Sequence, residues 1–248
     1  MLLETTLDDL NHLGLSGMAQ ALRHMQQQGQ LASHSFLDGL GFLTSQEKLL
    51  RENRKYHRLL KSAKLRFEQA CIEAIDYTHP RELQKQQIIS FIQSDWVKAK
   101  QNIIFMGATG LGKSFIACAL GQYACRQGYS VRYFRLSKLI EELRLATVAG
   151  SLSRFFMQLA KINVLIIDDW GIEPLSGQQR QQLLEIIEDR YHLQSTLITT
   201  QLPIEHWHEY VGDSTIADAL LDRLLPNAHI VTLRGQSMRK SQGKIATA

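Results

Sequence analysis

Between Asn102 and Cys125 the chain passes from NIIFM through GATGLGKS into FIACALGQYAC. An apolar β-type run, a glycine-rich loop and a helical run follow one another with no spare residues. No other feature constrains the fold as tightly. The loop spells G-x-x-x-x-G-K-S, with Gly107, Gly112, Lys113 and Ser114 at the fixed positions. Glycines let backbone turn tightly and approach an anion with no Cβ in the way. The loop N–H groups and the first helical turn then point at phosphate. Lys113 is expected at the β- and γ-phosphates of a nucleoside triphosphate, and the Ser114 hydroxyl on Mg²⁺. Gly107, Ala108, Thr109, Gly110, Leu111, Gly112, Lys113, Ser114 and the following Phe115 form the expected nucleotide-binding set. The competing reading is a plain glycine turn; a chance match in a chain this long is roughly a one-in-a-hundred event.

VLIIDDWG, from Val164 to Gly171, supplies the second element. A buried strand that ends in carboxylates delivers charge to the carboxyl edge of a sheet, where open α/β sheets bind ligands. Asp168 suits the Mg²⁺ shell of the nucleotide, and Asp169 is placed to orient or polarise an attacking water. Strands are expected at 102–106, 130–134, 163–168, 196–200 and 229–233. Helices are expected at about 113–127, 137–161, 177–192 and 214–225, the second of them broken near Gly150. Strands that alternate with helices predict an α/β fold whose parallel sheet is covered on both faces. A further strand, YSVRYFR, lies between the two motifs in sequence. Small kinases and Ras-like GTPases bring the two motif strands side by side, whereas the additional-strand class of P-loop proteins inserts one between them. In that class the water-polarising acid sits beside the Mg²⁺ acid. The pattern therefore points to hydrolysis, and a small-molecule kinase is the weaker reading.

Three further positions have the chemistry of a nucleotide sensor. STLITTQLP is a β-rich run ending in Thr199, Thr200 and Gln201. A polar side chain at that strand end is placed to hold the attacking water or report on the γ-phosphate, with a capped strand end as the plain alternative. DALLDRLL sets Arg223 at the end of an amphipathic helix, as a finger for a neighbouring copy's γ-phosphate or as a solvated helix-end charge. Near the terminus GQSMRKSQGK offers Arg239 to nucleotide or to DNA.

Residues 1 to about 78 have a different texture. They hold no proline and read as wholly helical, with Leu10, Leu13, Met18, Leu22 and Met25 at helical steps. Thr78-His79-Pro80 then punctuates the chain. A helix over Arg51–Phe67 would gather Arg51, Arg54, Lys55, Arg58 and Lys61 on one face, and Leu49, Tyr56, Leu60, Ala63 and Phe67 on another. The basic face is the expected DNA contact, made to backbone and so nearly independent of sequence. A solvated charged face is the plain alternative. Net charge is +4, and no acid follows Asp222, which agrees with a polyanionic partner. Cys71, Cys118 and Cys125 are too few for a disulfide framework, so free thiols and a reduced, cytoplasmic setting are expected. The amino terminus has no secretory pattern and no apolar run is long enough to span a bilayer, so no membrane partner is expected.

LGLSGMAQAL, NIIFMGATGLGKS, VLIIDDWG, STLITTQLPIEHWHEY, IADALLDRLLPNAH and GQSMRK together resemble the IstB-like insertion-sequence ATP-binding proteins, transposition helpers related to DnaC-type helicase loaders within the AAA+ ATPases. The resemblance spans nearly the whole chain. It implies an all-helical amino-terminal domain over 1–78 for DNA or partner binding. It implies an AAA+ P-loop core with a parallel five-stranded sheet over 79–248, lacking a full carboxy-terminal lid. It further implies slow ATP hydrolysis stimulated by DNA or a partner, and ATP and Mg²⁺ as ligands. The implied partners are duplex DNA, an IstA-type transposase and further copies in a ring, spiral or filament, on the bacterial nucleoid. By position, Gly107, Gly112, Lys113 and Ser114 match Walker A, Asp168 and Asp169 match Walker B, Thr200 or Gln201 the first sensor, and Arg223 the arginine finger. In relatives that are initiators or loaders an inserted helix in the 137–161 region sets a spiral, which would turn Lys138, Arg144 and Arg154 inward; an elongated crossover is the other reading. A helicase loader is the alternative function. A loader's amino-terminal zinc module is not expected, because no cysteine precedes Cys71.

Overall fold

The computed structural model describes residues 2–30 and 35–238. Arg239, Lys240 and Lys244 lie outside the described residues. The chain forms two compact units that divide between Arg58 and Leu59. The first holds α1 (Leu2–His12), α2 (Ser16–Gln27) and most of α3 (Phe36–Ala63). Its buried side chains are Leu7, Ala19, Ala21, Met25 and Glu47, so small residues form much of the contact. Leu13, expected on the packing face, is exposed. A Cβ on Gly17 would lie 2.8 Å from the Cα of Glu47, so glycine is what lets α2 start this close to α3. The Glu47 carboxylate accepts from the Gly17 N–H at 2.6 Å and the Met18 N–H at 3.2 Å, capping the first turn of α2. Arg51 donates to the other oxygen at 2.6 Å. That contact, with the two N–H groups, holds the Glu47 carboxyl below the usual carboxylate range.

The stretch before Pro80 is not wholly helical. Lys64 takes φ +50° and ends α3, and the next twenty residues contain only one 3-10 turn, at Ile72–Ala74. The reason is packing: Ala63, Leu65, Ala70, Ile75 and Leu83 are buried in the second unit. A straight helix through Phe67 would carry several of them away from it. Phe67 therefore does not extend the apolar face of α3, and Leu49 on that face is half exposed.

The second unit continues with α4 (Lys85–Ser94), β1 (Asn102–Gly107), α5 (Lys113–Arg126), β2 (Val131–Arg135), α6 (Leu136–Val148) and α7 (Leu152–Lys161). It is completed by β3 (Val164–Trp170), α8 (Gly177–Arg190), β4 (Ser195–Thr200), α9 (Trp207–Val211), α10 (Ser214–Leu224) and β5 (Ala228–Leu233). All five strands pair in parallel, in the order β2-β3-β4-β1-β5. The strand inserted between the two motif strands is thus β4, whereas β2, the YSVRYFR strand, lies at the edge. Strands covered on both faces read as unbroken apolar runs, and Val164–Ile167 and Ile103–Phe105 are fully buried. One face is covered by α5, where a Cβ on Gly121 would fall 2.8 Å from Ile166 and 3.2 Å from Leu65. The other packs Ile104, Leu165, Ile167 and Ile198 against Leu139, Leu143, Leu183, Ile186 and Leu220.

α6 and α7 are separate helices hinged at Gly150, as the sequence suggests. Arg190, almost wholly buried, donates to the carbonyls of Leu159 (2.6 Å), Ile162 (2.8 Å) and Ser195 (2.5 Å), tying the end of α7 to the start of β4. Cys118 and Cys125 are buried free thiols, which burial pushes up to about 11 and about 12. Among the described residues no helix is long and apolar enough to cross a membrane.

Candidate nucleotide site

β1 ends at Gly107 and α5 begins at Lys113, so the loop between them leaves the carboxyl edge of the sheet beside its central strands. Gly107 has φ +150°, and a Cβ there would fall on the carbonyl oxygen of Leu233 in β5. Gly112 has φ +82°, and its Cβ would fall on the Arg81 guanidinium. Both positions need glycine for conformation and for space. The Lys113 ammonium folds over the loop and donates to the carbonyls of Gly107 (2.6 Å) and Ala108 (2.8 Å). Burial lowers its pKa, while Asp168 and Asp169 work to keep its charge.

The acids arrive through an irregularity in β3. Ile167 pairs with Ile198 and Trp170 with Thr200, so Asp168 and Asp169 share the single place opposite Thr199. A bulge of this kind re-aims side chains. Asp169 takes φ +63°, which Asp tolerates better than most residues. Asp168 is fully buried and saturated with donors. One oxygen accepts from the Ser114 hydroxyl at 2.7 Å and from the Thr199 hydroxyl. The other accepts from the Tyr133 hydroxyl at 2.6 Å and from Arg66 at 3.4 Å. Asp169 instead faces a cavity of about 580 Å³, and burial, then the neighbouring Asp168 charge, raises its pKa.

That cavity gathers much of the expected set. Thr109, Gly110, Gly112, Lys113, Ser114, Phe115, Asp169 and Gln201 all line it. Leu111 does not; its side chain is buried and its carbonyl accepts from Arg81 at 2.6 Å. Of the two sensor positions, Thr200 is turned away, its hydroxyl donating to the Trp170 carbonyl at 2.9 Å and accepting from the Leu202 N–H. The physical reason is strand alternation: residues 199 and 200 must face opposite sides of β4. Thr199 consequently reaches Asp168, and Gln201 reaches the cavity. Arg223 does not line this cavity; it pairs with Glu188 of α8, donates to the Ala219 carbonyl at 2.8 Å and lies over the Tyr191 ring. Of the basic residues on α3, Arg51 is engaged by Glu47 and the Gly14 carbonyl, whereas Arg54, Lys55, Arg58 and Lys61 are exposed. In the α6–α7 region Lys138 pairs with Glu141, and Arg144 and Arg154 are exposed.

Several site residues were not singled out from the sequence: Arg66, Phe67, Asp76, Arg81 and Tyr133. Arg81 is the brace of the loop. Besides Leu111, it donates to the Asp76 carbonyl at 2.5 Å and contacts the Met238 sulfur at 3.0 Å. The Met238 N–H donates to the Gly110 carbonyl at 2.9 Å, which accounts for the place of GQSM beside the loop. Ser114 lines the cavity wall and its hydroxyl contacts Asp168, buried directly behind it, so the two bring together the hard oxygen donors that Mg²⁺ requires. They are too few to enclose it alone, so phosphate and water oxygens would complete the shell.

Comparison with known proteins agrees with this geometry. The core resembles the crystal structure of the DnaC helicase loader (TM-score 0.56, 22% identity, 68% of this chain and 99% of that one). It also resembles AMPPCP-bound DnaA from Aquifex aeolicus (TM-score 0.56, 17% identity, 69% of this chain and 52% of that one). These likenesses identify the AAA+ fold. In sequence the chain is 45% identical to the insertion sequence ATP-binding protein y4pL of Sinorhizobium fredii, over 98% of each chain. It is 29% identical to an ATP-binding protein of insertion sequence IS232 from Bacillus thuringiensis, over 93% and 92%. The model of the IstB-like ATP binding protein family matches residues 8–246, and this chain belongs to that family.

Proposed function

We propose that this protein binds and hydrolyses ATP, assembles with other copies on duplex DNA without regard to base sequence, and stimulates a partner transposase at the target. The observation that carries the reading is the convergence of Lys113, Ser114, Asp169 and Gln201 at one carboxyl-edge cavity, with Asp168 buried behind Ser114, in a chain of the insertion-sequence family. Lys113 and the loop N–H groups bind the phosphates. Ser114 and Asp168 would hold Mg²⁺, which would offset charge on the β- and γ-phosphates. Asp169, beside the buried Asp168 and facing the cavity, orients a water for attack, and Gln201 contacts that water or the γ-phosphate. Arg223, turned away from its own cavity, serves the site of an adjoining copy. Residues 1–78 contribute DNA and partner contacts, with Arg54, Lys55, Arg58 and Lys61 as phosphate ligands; the protein works on the nucleoid in the bacterial cytoplasm. The likeness to helicase loaders is one of fold and does not by itself favour a loader's role.

Fluorescence anisotropy on labelled duplex tests this reading. With a non-hydrolysable ATP analogue, binding should fall about 100-fold or more between about 50 and about 200 mM salt, as expected for four or more phosphate contacts per protomer. Unlabelled duplex should compete better than single strands. The double variant Arg54→Ala/Lys55→Ala should lower the salt slope by about two. An unchanged slope would remove α3 from the DNA contact, and equal competition by single strands would favour the loader.

A further inference from the structure

Asp168 raises a charge problem that the phosphate grip does not solve. A carboxylate with no exposure to water needs a positive partner, because an uncompensated buried charge is costly. Three of its four donors, Ser114, Tyr133 and Thr199, are neutral hydroxyls. Lys113 is committed to the Gly107 and Ala108 carbonyls. The remaining donor, Arg66, is a cation in direct contact, at 3.4 Å. It is also the loosest of the four. Its side chain is 37% exposed and stands at the cavity wall, whereas Tyr133 and Thr199 are buried. Leu65, buried beside Gly121, fixes the backbone next to Arg66, whose guanidinium lies 5.3 Å from the centroid of the Phe67 ring, another residue of the cavity wall.

We propose that Arg66 is a built-in counter-ion of Asp168 that competes with the divalent cation for this carboxylate, and so sets the Mg²⁺ requirement of nucleotide binding. The inference rests on reading the cavity as an ATP site. Asp168 offers about four lone-pair sites and all are taken, so a cation can approach only as a donor leaves. Arg66 is the donor whose charge the arriving cation replaces, and it stays at the wall of the same cavity, on the triphosphate side. The guanidinium is thereby exchanged for the metal at the carboxylate and becomes available to phosphate.

Two measurements test this on the full chain. In the first, Mg²⁺ is titrated at fixed fluorescent ATP. Arg66→Gln should reach half-maximal binding at about five-fold lower Mg²⁺ than wild type, the scale of a half-exposed ion pair, and Arg66→Lys should restore the wild-type midpoint. In the second, Mn²⁺ alone is followed by paramagnetic resonance without nucleotide. Arg66→Gln should bind it more tightly by a similar factor, and Asp168→Asn should erase the difference. An unchanged midpoint in both would overturn the proposal. So would a loss of ATP affinity at saturating Mg²⁺ with no change in midpoint, which would make Arg66 a phosphate ligand only. If wild type binds no ATP at any Mg²⁺ concentration, the ATP reading fails; the Mn²⁺ measurement still decides whether Arg66 guards the carboxylate.

Discussion

Replacing Lys113 with alanine is expected to weaken ATP binding about 100-fold or more, the loss of roughly 3 kcal/mol of charge-assisted contact with phosphate. Lys113 is almost buried, and its ammonium reaches only the loop that would wrap the phosphates. Its removal has two consequences. The triphosphate loses a point charge, and the Gly107 and Ala108 carbonyls lose the donor that draws the loop closed. Both act on binding and neither touches the core, because the strands behind the loop are held by Ile103, Ile104 and Phe105. Isothermal titration with ATP and Mg²⁺ reads the effect, and thermal melting should change little. A dissociation constant within two-fold of wild type would contradict the assignment.

Arg223→Ala is expected to leave ATP binding intact and to reduce hydrolysis by the DNA-bound assembly about 1000-fold, the scale of a finger supplied from another subunit. Arg223 extends from α10 toward Glu188 and Tyr191 of the α8 end, away from the cavity of its own chain. Because Arg223 does not line the cavity of its own chain, its effect on hydrolysis is expected through another copy. Mixing separates this from a structural effect. An Asp169→Asn protomer lacks the water-orienting acid but keeps Arg223. Equal amounts of the two variants should recover about a quarter of wild-type turnover, because one junction in four pairs an intact site with an intact finger in a head-to-tail assembly. Turnover that stays at the level of either variant alone, with both still binding ATP and DNA, would rule out a shared site.

The core was legible because its signals are local. NIIFM, VLII and STLITT are apolar or β-branched runs, the glycines mark the phosphate loop, and five strands and the helices between them fall within a few residues of where these patterns place them. What escaped depends on distant partners. The stretch after Ala63 has helical composition, yet Lys64 turns left-handed so that Leu65 can pack beside Gly121 and Arg66 can reach Asp168, about a hundred residues away. The compact units divide inside α3, between Arg58 and Leu59. Arg81 carries no local mark of a loop brace; beyond the nearby Asp76 carbonyl, its partners lie thirty residues away at Leu111 and far off at Met238. Thr199 is one of the three polar residues that the sequence offers at the end of β4. Alternation along β4, set against Asp168 in β3, places 199 and not 200 on the side of the acid.

The most direct test is sedimentation velocity of the full chain with duplex DNA, with and without a non-hydrolysable ATP analogue. The account predicts that several copies co-sediment with the duplex only when the analogue and Mg²⁺ are present, and that Lys113→Ala stays small under the same conditions. A wild-type protein that sediments as a monomer apart from the DNA at low ionic strength, whichever nucleotide is supplied, would contradict it.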